Sequence, residues 1–140
     1  MHNQKELFHL PDYVLVHPNL AEDPMGKQGS IGLLTYALIN RDEFYVGFEN
    51  EEVGIYDAAA LLILKDADSI FRYMDVYKDH LTEYEQNALI SIGLLEMYAE
   101  NSEYQKEAFH IVLQQPSLTD AVLLSIEARL QLNTGPKIGR

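Results

Sequence analysis

Five histidines are the side chains in this sequence best suited to acid–base chemistry or to metal binding. They are His2, His9, His17, His80 and His110. No two of them have the i, i+4 spacing that places a pair of zinc ligands on one face of a helix, and the chain has no cysteine to complete such a site. We therefore expect no metal site and no bound cofactor, and we assign the histidines ordinary surface or hydrogen-bonded roles.

Acidic residues are so frequent that several carboxylates fall close together in the sequence. Two groups lie near predicted element ends, namely Asp42 with Glu43, and Asp75, Asp79, Glu83 and Glu85. Paired carboxylates perform general acid–base catalysis when one is buried beside the other, and nothing in the sequence indicates such burial. Gly26, Gly29 and Gly32 do not have the spacing of a phosphate-binding glycine loop. We identify no catalytic residue and predict that the chain is not an enzyme.

Tyrosines on two neighbouring predicted strands are the best candidates for binding a partner. If residues 50–51 form a two-residue turn, Tyr45 faces Tyr56 and Gly47 faces Gly54 across a hairpin. The two rings and the bare backbone beside them would form a flat aromatic shelf. Tyrosine is favoured at interfaces because it contributes contact area with little loss of entropy. The shelf is either a partner-binding site or a place where the other half of the chain packs.

The same register determines which residues of the hairpin are buried. Val46, Phe48, Val53 and Ile55 share the opposite, apolar face, as strand alternation requires. Asn-Glu is a poorer tight-turn pair than Asn-Gly, and we expect a longer loop to keep these faces and to change only the tip. Tyr36 extends the shelf if its own strand adjoins.

The elements that position these residues change in character near residue 66, where the hydrophobic period changes from 2 to 3.6. The first half contains five short segments of strand type, at residues 13–17, 29–37, 43–49, 52–57 and 61–64. Five short strands within about 55 residues indicate a small five-stranded β-barrel, closed or half-open, over residues 11–65. Residues 1–10 precede it as an N-terminal arm.

The second half predicts a bundle of about four helices over residues 66–135, packed on the barrel. Asp66 or Asp68 caps the first helix, a capping box at residues 82–85 opens the second, and another at residues 102–105 opens the third. A single last helix is lined by Val122, Leu123, Ile126 and Leu130. Residues 136–140 are predicted to be a disordered tail. The fold class is therefore α+β.

Several short motifs in the first half occur in a familiar order. A Gly-x-x-Gly-x-Ile turn at residues 26–31 opens the second strand, and a Val-x-Phe strand follows at residues 46–48. A Gly-x-Tyr strand at residues 54–56 and a short helical turn lead to a last strand from Leu61. With these motifs, residues 11–65 resemble the SH3-like small barrels of the KOW and Tudor type. The resemblance implies a binding module rather than an enzyme, because such barrels hold peptides, nucleic acid or another protein domain.

The sequence departs from this family where the specific activities of its members reside. Lys27 is the only basic residue near the first glycine turn, whereas Glu49, Glu51 and Glu52 crowd the next loop. Methyl-lysine recognition needs a cage of several converging rings, and only two tyrosines are predicted to share a face. Neither nucleic-acid binding nor methyl-lysine binding carries over from the resemblance.

Composition and charge limit the remaining classes of function. The 140 residues are 47% hydrophobic, which is enough for a packed core, and carry a formal net charge of −12 spread over both halves. A uniformly acidic surface repels phosphate backbones. No apolar segment approaches the ~20 residues of a membrane span, and the first residues do not have the pattern of a secretory signal. The absence of cysteine fits a reducing compartment, so we expect a cytoplasmic protein without a membrane segment.

These observations favour a non-catalytic protein-interaction module, such as an adaptor or accessory subunit. Its predicted partner-binding residues are Tyr36, Tyr45, Gly47, Gly54 and Tyr56. An acidic inhibitor or immunity-type protein that blocks a basic enzyme by charge complementarity is the alternative. Nucleic-acid binding through the barrel is a further alternative that the charge disfavours. The identity of the partner and the oligomeric state stay open.

Overall fold

The computed structural model describes residues 3–98 and 100–134. The chain divides into two compact units. The sheet unit consists of Met1–Ile63 together with Leu124–Arg140, and the helical unit consists of Leu64–Leu123. The class is α+β, as the change in hydrophobic period predicts.

Six strands form one open antiparallel sheet. They are β1 (Tyr13–Val16), β2 (Ile31–Leu38), β3 (Glu43–Gly47), β4 (Val53–Tyr56), β5 (Leu61–Leu64) and β6 (Leu123–Ser125), and their order across the sheet is β4-β3-β2-β1-β5-β6. The first five coincide with the five segments that the sequence predicts as strands, except that β2 extends one residue beyond its segment, to Leu38. Among the described residues no pairing joins β4 to β6, so the sheet has two ends and is not closed into a barrel.

One face of the sheet carries the core of the sheet unit. Alternate residues of the strands point into it, among them Val14, Leu34, Phe44 and Val46, each with 0% of its surface exposed. The short 3-10 helix Ala58–Ala60 between β4 and β5 adds two small buried side chains to the same cluster. Alternate burial along β3 and β4 is what the period-2 pattern predicts for strands with one covered face, whereas β1 and β5 are buried at consecutive positions.

The segment before β1 is hydrogen-bonded to β2. The amide of Gln4 donates to the carbonyl of Ala37 at 2.8 Å, and the side chain of Asn3 both accepts from the Ala37 amide and donates to the Thr35 carbonyl. Leu10 is 7% exposed and belongs to the core cluster. Residues 3–10 of the predicted N-terminal arm therefore form part of the sheet unit.

In the described part of the chain, five α-helices follow β5, with bounds α1 Ala67–Tyr77, α2 Glu83–Met97, α3 Ser102–Gln114, α4 Thr119–Val122 and α5 Ile126–Thr134. Asp66 caps α1 through the Ser69 amide, and Thr82 with Glu85 forms the predicted capping box of α2. The prediction of a second box beginning at Ser102 is wrong, because Asn101 is the N-cap of α3 and accepts from the amide of Glu103. The N-cap therefore lies one residue before the predicted one, and the Asn101 side chain pairs with a helix amide that would otherwise have no partner.

The prediction of one unbroken last helix is also wrong. β6 separates α4 from α5, because residues 123–125 pair with the edge of the sheet. Ile126, with 0% exposure, and Leu130 then pack into the core of the sheet unit, so α5 belongs there and not to the helical unit. The predicted tail at residues 136–140 lies outside the described residues.

Candidate binding surface

The β3–β4 loop decides which side chains of the hairpin are accessible. The amide of Glu51 donates to the Phe48 carbonyl at 2.9 Å, and the amide of Phe48 donates to the Glu52 carbonyl at 2.9 Å. Glu51 has φ 67°, in the left-handed region. This is a three-residue loop over residues 49–51, built from a β-turn followed by a left-handed residue, and not the two-residue turn that the sequence analysis assumes.

The extra loop residue moves the register by one position. Gly47 pairs with Val53, and Tyr45 pairs with Ile55. The predicted Tyr45–Tyr56 pairing is wrong, because Tyr56 instead pairs with Phe44. Since side chains alternate between faces, one residue of slip moves every side chain of β4 to the opposite face. The expectation that a longer loop changes only the tip is therefore also wrong.

Tyr56 and Gly54, two of the predicted site residues, lie on the core side of the hairpin. Tyr56 is 7% exposed and packs edge-on against Phe48, with ring centroids 6.4 Å apart. A Cβ added to Gly54 would lie 2.7 Å from the Sδ of Met25 and 2.7 Å from the Tyr56 ring. Both residues are therefore covered and cannot form an accessible shelf.

The opposite side of β2, β3 and β4 is an accessible apolar surface, which we call the outward face. It is defined by Leu33 and Tyr36 on β2, Tyr45 and Gly47 on β3, and Val53 and Ile55 on β4. Leu33 is 40%, Val53 56% and Ile55 58% exposed. Branched aliphatic side chains with half of their surface in water are unusual on a strand whose other face is a core, and such patches often mark interaction sites.

Two rows of side chains cross the outward face. In one row, Leu33 and Val53 stand on either side of Gly47, so backbone is bare between two exposed aliphatic side chains. A Cβ on Gly47 would meet only the Thr35 methyl group, at 3.8 Å, and a carbonyl oxygen at 4.0 Å. The row therefore dips at its centre, and the dip is open.

The second row contains the aromatic part of the outward face. Tyr36 and Tyr45 are neighbours across β2 and β3, with ring centroids 5.6 Å apart and an interplanar angle of 86°. A bulge in β2 places both Thr35 and Tyr36 opposite Tyr45, and the Thr35 hydroxyl donates to the Tyr45 carbonyl at 3.1 Å. Ile55 continues the row on β4. Edge-to-face packing is a favourable arrangement for two aromatic rings, and it fixes the orientation of both tyrosines.

Acidic residues surround the outward face at the ends of the hairpin. Residues 43–57 contain five acidic side chains and no Lys, Arg or His. The five are Glu43, Glu49, Glu51, Glu52 and Asp57. Glu49, Glu51 and Asp57 are exposed, while Glu52 is paired with Lys27 at 3.4 Å. The outward face is thus an apolar centre with a negative rim.

A loop between β1 and β2 covers the core side of the hairpin. The carboxylate of Asp23 accepts from the amides of Met25 and Lys27 at 2.9 and 3.0 Å, and from the Tyr56 hydroxyl at 2.9 Å. Burial alone would raise the pKa of Asp23, but these hydrogen bonds and the charge of Lys27 outweigh burial and lower it. Burial and the Asp23 carboxylate raise the pKa of Tyr56. The loop fixes the side of the hairpin on which Tyr56 lies.

Two of the other candidate side chains, His17 and Glu85, are hydrogen-bonded to neighbouring residues. No cluster of three metal-ligating side chains occurs in the described part of the chain. His17 accepts from the Asn19 amide through Nδ1 at 3.1 Å. Glu85 accepts from the Thr82 amide and from the Ser117 hydroxyl, and these bonds lower its pKa. Both side chains therefore have structural partners.

The helical unit has two surface features of its own. A cleft of about 240 Å³ lies between α2 and α3, lined by neutral side chains that include Tyr84, Asn87 and Gln114. On α2, Ile90, Leu94, Met97 and Tyr98 are exposed at helical spacing. No described helix is long and apolar enough to cross a membrane.

Comparison with family models, with curated proteins and with solved structures finds no match to this chain. The arrangement of its own residues is therefore the basis for any functional conclusion.

Proposed function

We propose that this chain is a non-catalytic protein-interaction module that binds its partner on the outward face of β2, β3 and β4. The observation that carries the proposal is the half exposure of Val53 and Ile55 beside an ordered tyrosine pair. Binding of a partner that covers these apolar side chains is favourable, by about 25 cal/mol for each Å² removed from water. Tyrosines at the centre of such a patch are typical of interfaces.

Charge defines the kind of partner. The rim of the outward face is acidic, and the whole chain carries −12. A partner with apolar side chains at its centre and Lys or Arg around them complements both features, and its approach is accelerated by the negative field. A phosphate backbone is negative and is repelled by the acidic rim, so the same rim argues against nucleic acid as the partner.

The outward face is favoured over the apolar stripe on α2 for a specific reason. Charge is sparser around the α2 stripe, because residues 86–95 contain no charged side chain and Glu96 accepts from the Ala67 amide. The outward face combines apolar area, aromatic rings and a rim in which acidic side chains predominate. Its partner can therefore be described chemically, whereas that of the α2 stripe cannot.

The alternative of an acidic inhibitor of a basic enzyme uses the same surface, and the same acidic rim supports it. An adaptor and an inhibitor differ in what the bound protein does rather than in how it is held. The resemblance of residues 11–65 to SH3-like small barrels remains part of the proposal, and the 3-10 turn at Ala58–Ala60 before β5 supports it.

A matched pair of variants tests the proposal. Val53→Thr combined with Ile55→Thr removes apolar contact from the outward face while keeping side chains that favour strands. Val76→Thr, at an exposed site on α1, is the control. Tagged wild-type and variant proteins are incubated with nuclease-treated lysate of the source cells, and recovered proteins are quantified by mass spectrometry.

We expect a basic protein to be recovered in stoichiometric amount with the wild type and with Val76→Thr, and at least tenfold less with the double variant. Half-molar salt should reduce its recovery, because the rim charges are screened. Equal recovery with the double variant, or loss with Val76→Thr alone, would contradict the proposal. Measured activity of a recovered enzyme, with and without the chain, distinguishes an adaptor from an inhibitor.

A further inference from the structure

The outer edge of β4 is a second recognition element next to the outward face. β4 is the terminal strand of the sheet, and its only neighbour among the described residues is β3. Phe48 and Glu52 form a hydrogen-bonded position of the β3–β4 ladder, so the next such positions are Gly54 and Tyr56. The backbone N–H and C=O groups of Val53 and Ile55 therefore point away from β3, toward the free edge.

β4 is short, at four residues, but it lacks the other devices that prevent strand pairing. Besides keeping edge strands short, proteins protect them with proline, a bulge or a charge within the strand. Val53–Tyr56 contains none of these, because its residues are Val, Gly, Ile and Tyr and its pairing with β3 is regular. Its two outward side chains are apolar and more than half exposed. The edge is thus an open template for another strand.

Acidic residues stand at both ends of this edge. Glu51 and Glu52 precede β4, and Asp57 follows it. In a symmetric antiparallel pairing of two copies about Gly54, Val53 would face Ile55 of the second copy, and the acidic residues before β4 would lie near Asp57 of the second copy. Like charges at both ends oppose this pairing. A strand with Lys or Arg at its two ends is stabilised at the same positions.

We propose that β4 accepts an extended basic segment of the partner as a seventh strand of the sheet. Its main chain bonds to Val53 and Ile55, its alternate apolar side chains continue the two rows of the outward face, and its basic ends meet Glu51 and Asp57. This inference rests on the proposed function and specifies how the partner is bound.

The probe is a displayed library of nine-residue peptides, selected on the full-length chain. The expected winners have apolar residues at alternate central positions and Lys or Arg at both ends. The best peptide is then synthesised with single N-methyl groups along its backbone, and each version is titrated against the wild-type chain by calorimetry. Methylation at every second residue should weaken binding about fivefold to tenfold, and methylation between them should have little effect.

A pair of substitutions at one position isolates the protein's own hydrogen bond. Val53→Pro removes the outward N–H at the first residue of β4, where proline is tolerated, and Val53→Thr keeps that N–H. We expect the peptide to bind Val53→Pro about fivefold more weakly than Val53→Thr. The N-methyl series uses the native chain, so it decides the question even if Val53→Pro does not fold.

Three results would overturn the inference. In the first, the library yields no peptide that binds the wild-type chain more tightly than it binds Val53→Pro. In the second, the effect of N-methylation does not alternate along the peptide. In the third, the wild-type chain forms dimers and Val53→Pro dissociates them. If one of these results is obtained but Val53→Thr/Ile55→Thr still loses the cellular partner, the outward face remains the proposed binding surface. Only the proposal of strand addition at β4 is then rejected. If the double variant also retained its partner, the proposed function would fail as well.

Discussion

The contact between Tyr56 and Asp23 shows how single residues determine which side of the hairpin is accessible. The tyrosine ring enters the core side, and its hydroxyl donates to a carboxylate that also holds two loop amides. Placing Tyr56 on the outward face would break this hydrogen bond and leave the half-buried carboxylate of Asp23 with one partner fewer. This interaction joins residues 33 positions apart, so local sequence patterns cannot reveal it.

The lowered pKa of Asp23 predicts a particular dependence of stability on pH. A carboxyl group whose pKa is lower in the folded state stabilises the fold above its unfolded pKa, near 3.8, and this contribution is lost as the pH falls through the folded pKa. We therefore expect wild type to lose more free energy of unfolding than Asp23→Asn between about pH 5 and pH 2. Urea unfolding followed by circular dichroism at a series of pH values measures the difference.

Asp75→Asn is the matched control, because Asp75 is exposed on α1. It should change with pH in parallel with wild type. Parallel curves for wild type and Asp23→Asn would show that the carboxylate is not selectively stabilised by its three hydrogen bonds.

At pH 7, Tyr56→Phe should lower the free energy of unfolding by about 1–2 kcal/mol, because it removes a hydrogen bond to a charged group.

Among the elements, the β3–β4 hairpin has the strongest effect on function. Alternation along β3 predicts correctly that Val46 and Phe48 lie on one face, the core side. The faces of β4 depend in addition on the number of residues in the loop, and Glu51 in a left-handed conformation supplies the extra one. Its side chain type does not signal that conformation, since glycine or asparagine is usual there. The poor fit of Asn-Glu to a two-residue turn was the available signal.

Substitution of Glu51 by glycine tests the loop geometry. Glycine adopts φ 67° without steric cost, so Glu51→Gly should raise the free energy of unfolding by up to about 1 kcal/mol. Glu49→Gly is the control, because Glu49 does not have a positive φ, and it should lower stability by about 0.5–1 kcal/mol through added chain entropy. Denaturant unfolding compares the three proteins. Destabilisation by both substitutions would indicate that residue 51 is not left-handed and that the register differs.

Helix starts were more predictable than the last helix and strand. Asp66 and the Thr82–Glu85 box act within three residues of their partners, so local sequence is enough to identify them. Residues 122–126 are apolar in a pattern that also fits a helix, and β6 forms because the sheet offers an edge to which residues 123–125 can pair. Such pairing is a long-range property, and hydrophobic periodicity alone cannot reveal it.

For the whole molecule, the change in hydrophobic period predicted the α+β class, but not which surface stays open. Three of the five predicted site residues, Tyr36, Tyr45 and Gly47, lie on the outward face. Leu33, Val53 and Ile55 were missed, because the assumed register placed two of them in the core. The outward face can be identified only when the conformation of the β3–β4 loop, the β2 bulge and the strand order are known together.

Thiol protection is the most direct test of the outward face as a partner-binding surface. The chain has no cysteine, so Ile55→Cys introduces its only thiol, and Val76→Cys does the same on α1. Each tagged variant is treated with an alkylating reagent in buffer and in source-cell lysate, and its modification is followed by mass spectrometry after recovery. With both rates corrected for reagent consumed by the lysate, we predict at least fivefold slower modification of Ile55→Cys in lysate and an unchanged rate for Val76→Cys. Equal rates at residue 55 with and without lysate, or protection at residue 76 alone, would contradict the proposal.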